Sequence, residues 1–105
     1  MEDVKLKLNE KGQGAFFVMD GAEQMGEMVV GMSGKNMTVY HTEVARKAEG
    51  KGLAKKILTA MVEYARKNGL NVIPICPFVS AHFMRNREEY ADVWNHDNPK
   101  EERDR

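Results

Sequence analysis

The sequence predicts a single α/β domain: a curved, mostly antiparallel five-stranded sheet with a main helix after strand 4 and a short helix after strand 5. Three observations predict it. Residues 4–44 alternate apolar and polar side chains between turns rich in Gly, Asn and Asp, the pattern of an antiparallel meander. Behind Gly50-Lys51-Gly52 the apolar period lengthens to that of a helix. A short apolar run then follows from Asn71 to Cys76, so strand, helix and strand should close a right-handed crossover that lays the last strand parallel to the one before it.

The elements follow in order. Val4 to Leu8 alternates apolar and charged residues as a half-buried strand does, and Asn9 to Gly14 supplies the turn that returns the chain through Ala15 to Met19. Asp20-Gly21 is a tight-turn dipeptide leading into a third strand, Ala22 to Met32. Ser33 to Asn36 turns again. The fourth strand, Met37 to Val44, is expected by strict alternation to show Val39, His41 and Glu43 on one face, and Thr38, Tyr40, Thr42 and Val44 on the other. Leu53, Ile57, Leu58, Met61, Val62 and Ala65 form one stripe of a helix running to Lys67, with Asn68-Gly69 as its cap. Asn71 to Cys76 is read as the fifth strand, stopped by Pro77, and Val79 to Arg85 as the short helix. One or two further helical turns fall in Glu88 to Trp94. Residues 95–105 carry no apolar side chains to bury and read as a charged, disordered tail behind a domain of residues 1–94.

Bulk composition removes several function classes. Sixteen Lys and Arg balance sixteen Asp and Glu, so no global field draws the chain onto nucleic acid; only a local surface of Lys51, Lys55, Lys56, Arg66 and Lys67 speaks for that class. The longest uncharged stretch, Asn71 to Met84, is too short and too polar for a bilayer, and the N-terminus lacks a signal-type apolar region; the expectation is a cytoplasmic protein without a membrane partner. Cys76 is the sole cysteine, and His41, His82 and His96 are not paired at helical spacing, so neither a disulfide nor a metal site is expected.

Two features carry chemistry. A strand followed by Gly50-Lys51-Gly52-Leu53-Ala54 at a helix start presents bare backbone N–H groups to an anion, and Lys51, Lys55 and Lys56 could offset a pyrophosphate; the same glycines could equally make a plain tight connection. The run fits neither a Rossmann fingerprint, which wants glycine where Lys55 stands, nor a P-loop, which wants Gly-Lys-Ser/Thr. Cys76 closes the parallel strand at the same sheet end, where it is either a small buried apolar residue or a thiol facing the crevice. His41 and Glu43, two residues apart on one strand, could share a proton from an attacking amine, or serve as a core histidine and a rim glutamate.

Glu49-Gly50-Lys51-Gly52-Leu53-Ala54 resembles the Gln/Arg-x-x-Gly-x-Gly/Ala motif of the GCN5-related N-acetyltransferases (GNAT), departing from it at Glu49. His41-Thr-Glu-Val44, Gly50-x-Gly-Leu-Ala54 and Ile73-Pro-Ile-Cys-Pro77, in that order, are similar to the small YjdJ-type subgroup of that superfamily, with Phe78 where the subgroup often has Tyr. The resemblance implies the GNAT (acyl-CoA N-acyltransferase) fold and acetyl transfer from acetyl-CoA, as cosubstrate and without metal, to an amine on a small molecule or a protein. It implies cofactor contacts at Glu43, Val44, Glu49, Gly50, Lys51, Gly52, Leu53, Ala54 and Lys55. Cys76 becomes a nucleophile or a proton donor to the departing thiolate, with His41 and Glu43 handling the amine's proton. A CoA-binding or sensing module without turnover is the alternative, favoured by Glu49 and by the missing tyrosine hydroxyl.

Overall fold

A computed structural model describes residues 3–95; the expected tail lies outside them from residue 96 on. The elements are β1 (Lys5–Leu8), β2 (Gln13–Asp20), β3 (Glu23–Ser33), β4 (Asn36–Val44), a 3₁₀ turn at Arg46–Ala48, α1 (Leu53–Asn68), β5 (Asn71–Pro74), α2 (Pro77–Arg85) and α3 (Arg87–Tyr90). They build one sheet in the order β1-β2-β3-β4-β5. The first four strands pair antiparallel and β5 lies parallel to β4, as the crossover requires.

Register explains which face is buried. Leu6, Phe16, Met28 and Thr42 stand in one cross-strand row, and Val18, Gly26 and Val44 in another, all on the side covered by α1. The helix buries Leu53, Ile57, Leu58, Met61, Val62 and Ala65, the stripe its periodicity predicts. Each large apolar side chain so removed from water contributes about 1.5–3 kcal/mol. Gly26 sets how near the helix can come: a Cβ there would meet Ile57 Cδ1 at 3.1 Å and Leu53 Cδ2 at 3.2 Å. The opposite sheet face, with Lys5, Phe17, Glu27 and Glu43 in one row and Lys7, Ala15, Val29 and His41 in the next, carries no helix among the described residues.

Three details depart from the sequence expectations. Val29 pairs with His41 but Val30 with Val39, so Tyr40 is an extra residue in β4. The bulge shifts the alternation: Val39 joins Met37 in the core, whereas His41 and Glu43 turn to the open face, so the expected common face of Val39, His41 and Glu43 does not form. β5 ends at Pro74 and not at Cys76, because the chain turns sharply there, Ile75 N–H donating to Ile73 C=O at 3.1 Å, and leaves Ile75 exposed. Asn95, assigned to the tail, is tied to the sheet: its N–H donates to Val72 C=O at 2.9 Å and its side-chain amide to Asn36 Oδ1 at 3.1 Å. Just before it, Trp94 forms a parallel bridge with Val72 and packs edge-on against Phe83, which stacks on Tyr90. This small aromatic cap closes the end of the core.

Candidate active site

β4 has two flanking strands for only part of its length. Asn36 to Val39 pair with Asn71 to Pro74 of β5, and the last main-chain link across, among the described residues, is the Cys76 N–H donating to Val39 C=O at 2.8 Å. Beyond it, the stretch from Tyr40 to Val44 has strand pairing with β3 alone among the described residues, and α2 starts with Pro77 at its first position. A gap therefore opens between β4 and the chain after β5. Such a divergence leaves main-chain hydrogen-bonding groups for a ligand to take.

At the far end of the gap lies the glycine turn. Gly50 and Gly52 adopt φ of +83° and +74°, a left-handed backbone that residues with a Cβ adopt only under strain. No protein atom lies within 4 Å of where a Cβ would stand at either position, so the turn faces open space. Gly52 is the N-cap of α1 and no side chain caps that helix; Lys56 N–H is the first to find an intrahelical acceptor, on Gly52 C=O. The N–H groups of the first turn are thus left for solvent or an anion, and the first turn holds no acidic side chain to compete. Beside them is a cavity of about 320 Å³ lined by Val44, Ala48, Glu49, Gly50, Gly52, Leu53, Ala54, Lys55 and Phe78. It joins the end of β4, the glycine turn and α2 in one groove.

The remaining predicted residues divide between the two sides of the sheet. Cys76 is only 2% exposed and its Sγ lies 3.2 Å from Thr42 Oγ1. The thiol points at the core side of the gap and does not line the groove, in contrast to the open, crevice-facing placement considered from sequence. Its position follows from Pro77: the residue before a proline is held extended, here at φ −60° and ψ 124°, which turns Cys76 inward beneath β4. His41 and Glu43 sit together on the open face, Nε2 to Oε2 at 3.7 Å, with side chains 57% and 70% exposed. Glu43 and Val44 also border a second cavity of about 260 Å³ with Gln24, Glu27 and Ala45. Lys51 and Lys55 are exposed near the turn, and Lys51 does not line the groove.

From sequence, His82 can line the far wall of the crevice or simply pack the short helix, and Thr42 can offer main-chain contact to a ligand arm; the structure gives each side chain a definite partner. Thr42 becomes the thiol's partner only because the bulge puts it on the core face, a shift no residue type announces. His82 lies one turn after Phe78 on α2, its ring edge-on to the Phe78 ring with centroids 4.7 Å apart. Burial first, then the positive charges of Arg85 and Lys55, push its pKa below the ordinary histidine value, with Glu89 acting in the opposite sense.

The family model described as GCN5-related N-acetyl-transferase matches residues 15–93, from within β2 across the glycine turn to Val93. This chain belongs to the GCN5-related N-acetyltransferase family. Its fold agrees with that of a GCN5-like protein from Staphylococcus aureus, determined in solution by NMR: the two superpose with a TM-score of 0.62 at 29% sequence identity, over 90% of each chain. The five-stranded sheet and its helices thus share the fold of that GCN5-like neighbour over nearly the whole chain. Among the described residues of this GCN5-related protein, no three His, Cys, Asp or Glu side chains gather as a metal set, and no helix is long and apolar enough to cross a membrane.

Proposed function

We propose that the protein transfers an acetyl group from acetyl-CoA to a primary amine, and that the gap beside β4 is where the thioester is held. The observation that carries this reading is the continuity of three features: an unpaired length of β4, an uncapped helix start with two left-handed glycines, and the groove that runs between them. Family membership supplies the reaction class. The ordered motifs at His41 to Val44, Gly50 to Ala54 and Ile73 to Pro77 support the finer placement in the YjdJ-type subgroup.

On this reading the diphosphate is bound by the N–H groups of Gly50 to Lys55, with Lys51 and Lys55 offsetting its charge and Glu49 reducing that offset. The pantetheine arm hydrogen-bonds to the free edge at Glu43 and Val44. The amine arrives from the open face, where His41 and Glu43 accept its proton as the nitrogen attacks the thioester carbon. The new C–N bond forms, the C–S bond breaks, and the departing thiolate takes a proton from the opposite side of the gap. Cys76 is the donor there: a thiol so enclosed, with a hydroxyl at 3.2 Å, suits proton delivery better than covalent attack, since nucleophilic cysteines lie in partly exposed sites. Holding amine and thioester in line supplies a large part of the rate.

The buried thiol and the Phe78 ring without a hydroxyl also favour a second reading, a CoA-binding module without turnover. One experiment separates them. The protein is titrated with CoA, then incubated with acetyl-CoA and a panel of free amines, polyamines and lysine peptides, and mass spectra are taken of the panel and of the protein. Acetylated amine with no acetyl on Cys76 supports transfer with the thiol as donor; acetyl retained on Cys76 makes it a nucleophile. CoA uptake without product leaves the binding module, and no uptake overturns both readings.

A further inference from the structure

The groove beside the glycine turn has one wall from which only Lys55 has been given a part, as a counter-charge to the diphosphate. Lys55 and Phe78 line it from α1 and α2, and Phe78 touches His82 one turn further along α2. Arg85 follows His82 at the third position, so both side chains leave α2 on neighbouring faces. We propose that Lys55, His82 and Arg85, with the Phe78 ring beside them, form a receptor for a phosphate monoester at the nucleotide end of the cosubstrate, and that the chain thereby selects CoA over 3′-dephospho-CoA. This rests on the CoA reading of the groove and names which part of the molecule is read.

The physical case is one of charge waiting for a counterion. α2 starts at the thiol end of the gap with Cys76 as its N-cap and carries Phe78 to the groove beside the cradle for the diphosphate. A ligand seated by its diphosphate on the N–H groups of α1 therefore has its acyl arm directed to Cys76. On this proposal its other arm runs past Lys55 and Phe78 on the groove wall toward His82, which touches Phe78, and Arg85 at the third position beyond it on α2. The groups acting on His82 are Arg85 and Glu89 along its own segment of chain and Lys55 from α1: two cations against one acid. Burial first, and then that excess, lowers the His82 pKa in the free protein. A phosphate monoester carries between one and two negative charges near neutrality and reverses this balance. It accepts charge-assisted hydrogen bonds from the lysine and guanidinium groups and draws a proton onto His82. The flat Phe78 ring offers a face for a heteroaromatic base next to the phosphate.

The test compares CoA with 3′-dephospho-CoA by isothermal titration of the full chain, while NMR follows the His82 imidazole resonance. Wild-type protein is expected to bind CoA about tenfold more tightly, the increment of one charge-assisted contact. CoA, and not the dephosphorylated form, should move the His82 titration to higher pH. His82→Asn and, separately, Arg85→Gln on the exposed end of α2 should each bring the affinity ratio toward unity. Equal affinities in the wild type, or a ratio unchanged in both variants, would overturn this inference while leaving CoA binding intact. Failure of both ligands to bind removes the CoA reading, and this one with it.

Discussion

The two halves of β4 make the instructive comparison. From Asn36 to Val39 the strand lies between β3 and β5, with Met37 and Val39 fully enclosed. From Tyr40 to Val44 it has β3 on one side only, a bulge at its start and half-buried or exposed side chains throughout. The first half is ordinary sheet core, paired on both sides, where packing sets the stability. The second half has surrendered one ladder of hydrogen bonds and gained a free edge aimed at the glycine turn. Unpaired edges are a liability in sheets unless covered or used. Here the edge is partly shielded by α2 and held by one side-chain contact, Thr42 to Cys76.

Mutations can break this comparison at either half. The largest effect is expected from Val39→Asp, which buries a carboxylate with no partner at a position of zero exposure; a loss of about 3–5 kcal/mol should appear in urea unfolding, enough to unfold much of a small domain. A fall of less than 1 kcal/mol would mean that the first half is not the closed core described. In the open half the cost should move from stability to ligand. Gly52→Val forces a β-branched residue into left-handed backbone at about 1–3 kcal/mol and places its side chain over the helix start, so acetyl-CoA affinity should drop at least about tenfold. Retention of full affinity would show that the cradle is not where the diphosphate sits.

Thr42→Val sharpens the contrast, because it keeps the shape and removes only the hydroxyl beside the thiol. Thermal stability should change by no more than about 1.5 kcal/mol, the net worth of a hydrogen bond. The turnover number should fall several-fold with KM for acetyl-CoA unchanged, and Thr42→Ser should restore it. A rise in KM alone would assign Thr42 to cosubstrate binding instead. The smallest effect belongs far from the gap, where Arg66 bridges α1 to the aromatic cap, with Nε 2.7 Å from Asp92 Oδ2 and a further bond to Glu89 C=O at 2.6 Å. Arg66 holds the Asp92 carboxyl below its ordinary pKa. A carboxylate so depressed stabilises the fold above the unfolded-state value, about 4, and loses that contribution as pH falls through the folded-state value. Both side chains are more than a third exposed, so Arg66→Ala should cost at most about 1 kcal/mol at pH 7, with the deficit shrinking at high salt and as pH falls through the lowered Asp92 value.

The structure also shows why sequence reading served some elements better than others. The α1 stripe and the meander were legible because burial imposes a repeat on residue type: six apolar positions at helical spacing admit one face. The glycine turn was legible for a related reason, since left-handed backbone at Gly50 and Gly52 restricts which residues can stand there. The sidedness of His41, Thr42 and Glu43 was not. It depends on one extra residue opposite the Val29–Val30 bond, and nothing in the residue types around Tyr40 marks a bulge. Asn95 gave no sign of joining the sheet either, because its partners, Val72 and Asn36, are remote in sequence.

The amino-acid order alone therefore determined the α/β class, the strand and helix succession, the one buried helix face and the candidate anion cradle. Each of these is local, written in periodicity or in the backbone freedom of a few glycines. Tertiary structure decided where β4 and β5 part, which side of the sheet each polar residue faces, and that the thiol lies enclosed against Thr42. Those outcomes depend on pairing register and on packing between segments more than thirty residues apart, where a shift of one residue exchanges the two faces of a strand.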